Sequence, residues 1–239
     1  IGISQENSLK RWLEMAGSPI STSRLTLLRA NVRLNFSNII YQDVERVRKI
    51  PLKKTKTMPE GVPTFTIDAV KTRDFDDAFS VLEWGKNGLV IAAHITDLSD
   101  FILPDTPLFK EAEARISSVY SLEESIPMIP DELSNNTFSL KEGLKKNVLS
   151  FIFQLSATGQ WHFLEVVPRT IRVQKNLTYG EADHLIKKGN DFWGLLNKFC
   201  NKSLEQRLAN GAINLARKEF NFDISNPKHI KIINLNRNS

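Results

Sequence analysis

The chain has 239 residues, 41% of them hydrophobic and 25% charged, an ordinary globular composition that excludes a low-complexity chain and is long enough for one large domain or a domain with an appendage. The formal net charge is +5, and the single cysteine, Cys200, rules out an internal disulfide and reads as a small core residue rather than a nucleophile. No run of about 18 apolar residues is present to span a membrane and residues 1–10 lack a signal peptide's apolar core, so the expected setting is the cytoplasm or the interior of an organelle.

In chain order, residues 5–17 place Leu9, Trp12, Leu13 and Ala16 at a helical period with Gly17 as the stop, and residues 22–31 and 37–49 read as two more helices. Residues 1–49 are therefore a small helical segment, either part of a helix-turn-helix or winged-helix module that contacts nucleic acid or a plain spacer. Residues 50–63 hold three prolines and three lysines with little periodicity, which predicts an exposed linker and a domain boundary, with the second domain covering 64–239. Strands are expected over residues 65–68, 78–82 and 89–93, the last two joined by a turn at 84–88. A helix follows at 108–117, and then a hairpin of 148–156 with 161–169. Thr178 with Glu181 forms a capping box for a helix through about Lys187, a long helix spans 191–209, and a last strand pair covers 220–224 and 229–234.

Charge is unevenly distributed along these elements. Lys and Arg outnumber Asp and Glu by 11 to 5 over residues 1–60 and by 12 to 6 over 171–239, whereas residues 61–170 carry 9 against 16. An acidic middle between basic flanks suits a polyanionic substrate whose phosphates the flanks attract; simply solvated surfaces would give the same count.

The most informative stretch is Thr66-Ile67-Asp68-Ala69-Val70-Lys71-Thr72-Arg73-Asp74-Phe75-Asp76-Asp77. Four carboxylates this close cannot all remain ionised without raised pKa values unless a hard, oxygen-preferring cation neutralises them, and Mg2+ fits best. The apolar residues on both sides argue against a solvated loop. An EF-hand is disfavoured because Arg73 would occupy the glycine position and Phe79 the final glutamate position. The first aspartate is expected to end a strand and the other three to lie on the loop entering the next.

These residues, Thr66-Ile67-Asp68 followed by Asp74-Phe75-Asp76-Asp77-Ala78, resemble the catalytic signature of the ribonuclease II and ribonuclease R exoribonucleases, the RNB domain. Further blocks follow in order: His94-Ile95-Thr96-Asp97-Leu98-Ser99 with Phe101; Tyr120 with Ile126-Pro127-Met128-Ile129-Pro130, Leu133-Ser134 and Ser139-Leu140; Leu149-Ser150-Phe151 with Gly159; and Leu177-Thr178-Tyr179. The resemblance implies an α+β fold of RNB type, a mixed sheet flanked by helices. It also implies Mg2+-dependent hydrolysis of single-stranded RNA from the 3′ end with release of nucleoside 5′-monophosphates. Asp68, Asp74 and Asp77 then correspond to metal ligands and Asp76 to the carboxylate indispensable for hydrolysis. Tyr120 and Tyr179 match aromatic positions near the terminal nucleotides, a residue type that stacks on bases without reading them. Leu215 stands where a family member clamps a base with phenylalanine, with Phe220 as a substitute, and His94 is expected to be structural. The family's catalytic domain continues past the equivalent of Ser239, so the chain looks like its N-terminal half. Two other readings are an RNB-fold RNA-binding protein without turnover and a nucleic-acid-binding regulator acting through residues 1–50.

Overall fold

The computed structural model describes residues 22–121, 124–189, 191–213, 219–223 and 231–235. In chain order its elements are α1 (Thr22–Arg29), α2 (Asn38–Arg48), β1 (Lys56–Thr57), β2 (Thr64–Asp68), β3 (Asp77–Gly85), β4 (Gly88–Thr96), α3 (Pro107–Arg115), β5 (Val119–Tyr120) and β6 (Ser125–Ile126). A π-helical turn (Leu133–Thr137) follows, then β7 (Lys145–Ser156), β8 (Trp161–Arg172), β9 (Lys175–Thr178), α4 (Tyr179–Lys188), α5 (Asp191–Ala209), β10 (Glu219–Asp223) and β11 (Lys231–Leu235). The helix expected over residues 5–17 lies outside the described residues. Two compact units emerge, one of residues 1–43, 104–130 and 216–239, the other of 44–103 and 131–215.

In the first unit α3 starts where the sequence offers caps. Thr106 Oγ1 accepts the Phe109 amide at 3.2 Å, Pro107 occupies the first turn where no amide is needed, and Asp43 accepts the Leu108 amide at 3.0 Å. Its last residue, Arg115, donates to the Arg33 and Asn35 carbonyls at 2.7 and 2.8 Å, pairs with Glu111 at 2.9 Å and lies 3.8 Å from the centroid of the Phe36 ring. The antiparallel ribbons β5–β6 and β10–β11 belong to this unit.

The second unit is a seven-stranded mixed sheet in the order β1-β8-β7-β4-β3-β2-β9, parallel at β1–β8 and β2–β9 and antiparallel elsewhere. The chain passes from β8 to β9 through Val173 and Gln174 alone, a step that reaches about 11 Å at most. A flat sheet would hold those strands about 24 Å apart across five spacings. The sheet is therefore strongly curled, and Gln174 closes it by donating its amide to the Thr64 carbonyl at 2.8 Å.

Helix α5 covers one face. Phe192, Trp193 and Phe199 pack with Phe65, Val81, Leu89, Ile91, Leu155 and Leu177, and the Phe65 and Trp193 ring centroids lie 5.4 Å apart. A second cluster gathers Ala78, Ala92, Leu140, Val148, Ile152, Ile171 and Val173 around Met58. Within residues 50–63, most of which are exposed, Met58 is buried: β1 pairs beside β8, and the Met58 amide continues the pairing onto the Thr170 carbonyl at 2.9 Å. The β3–β4 hairpin turns at Lys86 and Asn87 between Gly85 and Gly88. Gly88 has φ +152°, and a Cβ there would meet the Leu155 carbonyl oxygen at 2.5 Å, so only glycine lets β7 approach.

A buried polar chain crosses the sheet. Thr64 and Ser80 hydroxyls hydrogen-bond at 2.7 Å, Ser80 bonds His94 Nε2 at 2.8 Å, and His94 Nδ1 bonds Ser150 at 2.8 Å. Ser80, His94 and Ser150 are each 0% exposed. His94 is thus the structural histidine that was expected, and burial, with the Arg169 charge second, lowers its pKa to about 4.

Candidate metal and RNA site

The carboxylates gather where β2 gives way to β3. Asp68 is the last residue of β2 and Asp77 the first of β3, so Asp77 stands on a strand rather than in the loop. Asp74 and Asp76 lie on the connection between them, and the Phe65–Phe79 register brings the two strand ends side by side.

That connection is held from outside. Ser139 Oγ donates to the Arg73 carbonyl at 3.0 Å and accepts the Phe75 amide at 3.1 Å, while the Leu140 amide donates to the Phe75 carbonyl at 2.9 Å. Both backbone groups of the residue between Asp74 and Asp76 are therefore fixed. Asn176 Nδ2 ties the neighbouring strand in by donating to Thr66 Oγ1 at 3.0 Å and to the Leu140 carbonyl at 2.9 Å. Sequence reading did not single out Asn176, and took Ser139 only as part of a block, because their partners lie 110 and 64–66 residues away.

Burial raises the Asp68 pKa; a hydrogen bond from the Thr66 hydroxyl partly offsets this, and the Asp77 and Asp74 charges add to it. Asp76 is raised by desolvation first and then by Asp74, Asp77 and Asp68. Each of the four carboxylates thus acts in one electrostatic group. Asp68 Oδ2 is buried without a hydrogen-bond partner, a costly state for an acceptor-only group. Such a donor set suits a hard divalent cation. Among the described residues, however, no three His, Cys, Asp or Glu side chains already converge as a metal cage. The group is open, and an ion would have to draw these side chains together.

Tyr179 is the first residue of α4, directly after Thr178, which lies opposite Asp68 in the β2–β9 register. Its side chain is exposed. Thr178 and Glu181 form the expected capping box. Glu181 is held at about 2 by its hydrogen bond from Lys175, then by those from the Thr178 amide and hydroxyl. Tyr120 is exposed on β5 in the first unit. Leu215 and the side chain of Phe220 lie outside the described residues. The longest described helix, α5, carries charged and polar residues along its length, and no described helix is long and apolar enough to cross a membrane.

Residues 59–239 match the model of the RNB domain. Ribonuclease R of Chlamydia pneumoniae is 36% identical over 124 residues, covering 52% of this chain and 18% of that protein. The chain therefore spans about a fifth of the length of the curated relatives it matches. Among solved structures, Mycoplasma genitalium RNase R in complex with double-stranded RNA superposes with a TM-score of 0.73 at 18% identity, over 87% of this chain and 39% of that one. Yeast Ssd1, a pseudonuclease, superposes with a TM-score of 0.57 at 17% identity, over 78% of this chain and 22% of that one. The curled mixed sheet with its flanking helices is the RNase R arrangement, and the chain belongs to the RNB domain family.

Proposed function

We propose that the protein is a Mg2+-dependent 3′-to-5′ exoribonuclease that hydrolyses single-stranded RNA to nucleoside 5′-monophosphates, working in the cytoplasm. The observation that carries this reading is the buried, unpartnered Asp68 Oδ2 at the end of β2, in a carboxyl that burial, and then the charges of Asp77, at the start of β3, and Asp74, on the connection, push toward the protonated form, as burial and Asp74, Asp77 and Asp68 do that of Asp76. That arrangement costs folding energy, which a divalent ion drawing the side chains together would offset.

Asp68, Asp74 and Asp77 would hold the metal, which when bound supplies an activated water and neutralises charge on the scissile phosphate. Asp68 and Asp77 are anchored by strand pairing, and Ser139 fixes the loop that carries Asp74. Asp76, exposed on that same loop, orients and accepts a proton from the attacking water. Tyr179 would stack on the terminal base or sugar, or donate its phenol to a phosphate or 2′-hydroxyl, from its place beside the β9 strand end. On the resemblance alone, Tyr120 would contact RNA near the terminal nucleotides and Leu215 would take the place of a base-clamping phenylalanine.

A second reading, RNA binding without turnover, draws on the openness of the carboxylate group and on the likeness to a pseudonuclease. End-labelled single-stranded RNA, the matching DNA and a 3′-blocked RNA, each incubated with the full-length protein in Mg2+ and in EDTA, separate the two. Stepwise shortening of the unblocked RNA from its 3′ end in Mg2+ alone is the expected result. Binding with no shortening establishes the second reading, and equal rates on DNA refute the first.

A further inference from the structure

One side-chain amide links the two chain segments that carry the aspartates. Asn176 stands opposite Thr66 in the β2–β9 register, and Thr66 and Asp68, two residues apart on one strand, share a face. Asn176 Nδ2 donates to Thr66 Oγ1 at 3.0 Å and to the Leu140 carbonyl at 2.9 Å, while Asn176 Oδ1 accepts the Glu142 amide at 2.8 Å. A backbone N–H can only donate and a carbonyl can only accept, so Glu142 and Leu140 together fix which end of the Asn176 amide faces Thr66. It is the donor end.

Thr66 is 1% exposed, so bulk water does not set the direction of its hydroxyl. Because Asn176 presents a donor, the single Thr66 proton cannot point back at it and goes to the Asp68 carboxyl instead. Asp68 Oδ2 has no hydrogen-bond partner, so the Thr66 hydroxyl holds the other oxygen and leaves Oδ2 unclaimed. On the other branch Leu140, whose carbonyl takes the second Asn176 N–H, donates its own amide at 2.9 Å to the carbonyl of Phe75, the residue between Asp74 and Asp76. Asn176 is thus two hydrogen bonds from Asp68 and two from the connection that bears Asp74 and Asp76. We propose that Asn176 is a positioning residue of the metal site: it directs the Thr66 hydroxyl onto one oxygen of Asp68 and spaces Asp68 from the Asp74–Asp76 connection, so that a divalent cation finds its ligands near their bound arrangement. Partners one hydrogen bond behind the ligands are worth roughly 10–100-fold in metal affinity. The proposal rests on the divalent-cation reading above and adds to it the residue that holds the ligands apart and in orientation.

The test is calorimetric titration of Mg2+ into the full-length protein and its variants, without RNA, alongside urea unfolding of each in EDTA. Asn176→Leu, which keeps the bulk and loses the donor, should bind Mg2+ roughly tenfold more weakly or worse. Thr66→Val removes the hydroxyl at nearly constant volume and should also bind more weakly, whereas Thr66→Ser restores the hydroxyl and should bind as the parent does. The double variant Thr66→Val/Asn176→Leu should lose less than the product of the two single losses, because Asn176 reaches Asp68 only through Thr66. A residue that merely braced the sheet would lower the urea midpoint of Asn176→Leu and leave Mg2+ affinity at the parental value in it and in Thr66→Val, and that result overturns the proposal. Should Asn176→Leu fail to fold, the contrast between Thr66→Val and Thr66→Ser decides alone: equal Mg2+ affinities overturn the proposal. Parental affinity in these variants with a loss in Asp68→Asn removes the role of Asn176 and retains the metal reading, whereas no saturable Mg2+ binding by the parent overturns both.

Discussion

The Thr64–Ser80–His94–Ser150 cluster and the Asp68–Asp74–Asp76–Asp77 cluster share the paired strands β2 and β3, yet one is sealed and the other is left wanting a partner. In the first, hydroxyls and an imidazole can each both donate and accept, so three hydrogen bonds satisfy a chain whose Ser80, His94 and Ser150 are 0% exposed. In the second, four carboxylates are acceptors only and cannot satisfy one another. One oxygen stays buried and unbonded, and the pKa values of Asp68 and Asp76 rise. A polar cluster that satisfies its own hydrogen bonds serves the fold, whereas one that cannot is left able to take a partner from outside the chain.

The contrast is broken most forcefully on the acidic side. Asp76→Asn should lower Mg2+-dependent hydrolysis by about 10²–10³ or more while leaving RNA affinity equal or higher, since the lost charge also repelled phosphate. Single-turnover cleavage and an RNA titration on the same preparation check both halves, and appreciable residual cleavage would remove Asp76 from its assigned role. On the sealed side the loss should appear in folding instead. His94→Leu strands the Ser80 and Ser150 hydroxyls and should cost about 4 kcal/mol in urea unfolding, with the cleavage rate at low temperature little changed. A variant as stable as the parent would mean that the buried chain contributes nothing.

pH sharpens the same comparison. His94 is neutral in the fold down to about pH 4, whereas in the unfolded chain it takes up a proton near 6.5. Folding stability from this residue is complete above about pH 7, declines as pH falls through 6.5 and levels off below about 4, a total on the order of 3 kcal/mol. Asp68 and Asp76 run the other way, because their raised values favour the fold while they are protonated and lose that contribution as pH rises. Urea titrations of the parent and of His94→Gln between pH 4 and 7.5 separate the two, since the substitution should flatten the histidine decline alone. The smallest effect expected is at the α4 cap, where Thr178→Ala should cost about 1 kcal/mol because the Glu181 amide loses its acceptor.

These differences also explain what could be read before folding. The four aspartates announce themselves because carboxylates adjacent in sequence must repel whatever the fold, and Thr178 with Glu181 announces a helix start because a capping box is local. Helix α5 was likewise legible over its full length from Asp191 to Ala209. Strand β9 was not, since four residues with no alternation become a strand only by pairing with β2, and β1 was hidden because two residues of a lysine-rich stretch gain their strand character from the β8 edge. The ribbon β5–β6 escaped for the same reason. His94 could be judged structural, but its partners could not be named, because Ser80 and Ser150 lie 14 and 56 residues away. The carboxylate cluster was therefore local and legible, while the residues that hold its loop and the neighbouring strand, Ser139 and Asn176, were products of topology.

The most direct test of whether the carboxylate cluster is completed by a cation is calorimetric titration of Mg2+ into the full-length protein and its Asp68→Asn variant, without RNA. Saturable binding by the parent, weakened at least about tenfold in the variant, is the predicted result, with a matching gain in thermal midpoint for the parent only. Identical isotherms for the two proteins, or no heat from either while the parent still cleaves RNA in EDTA, would contradict it.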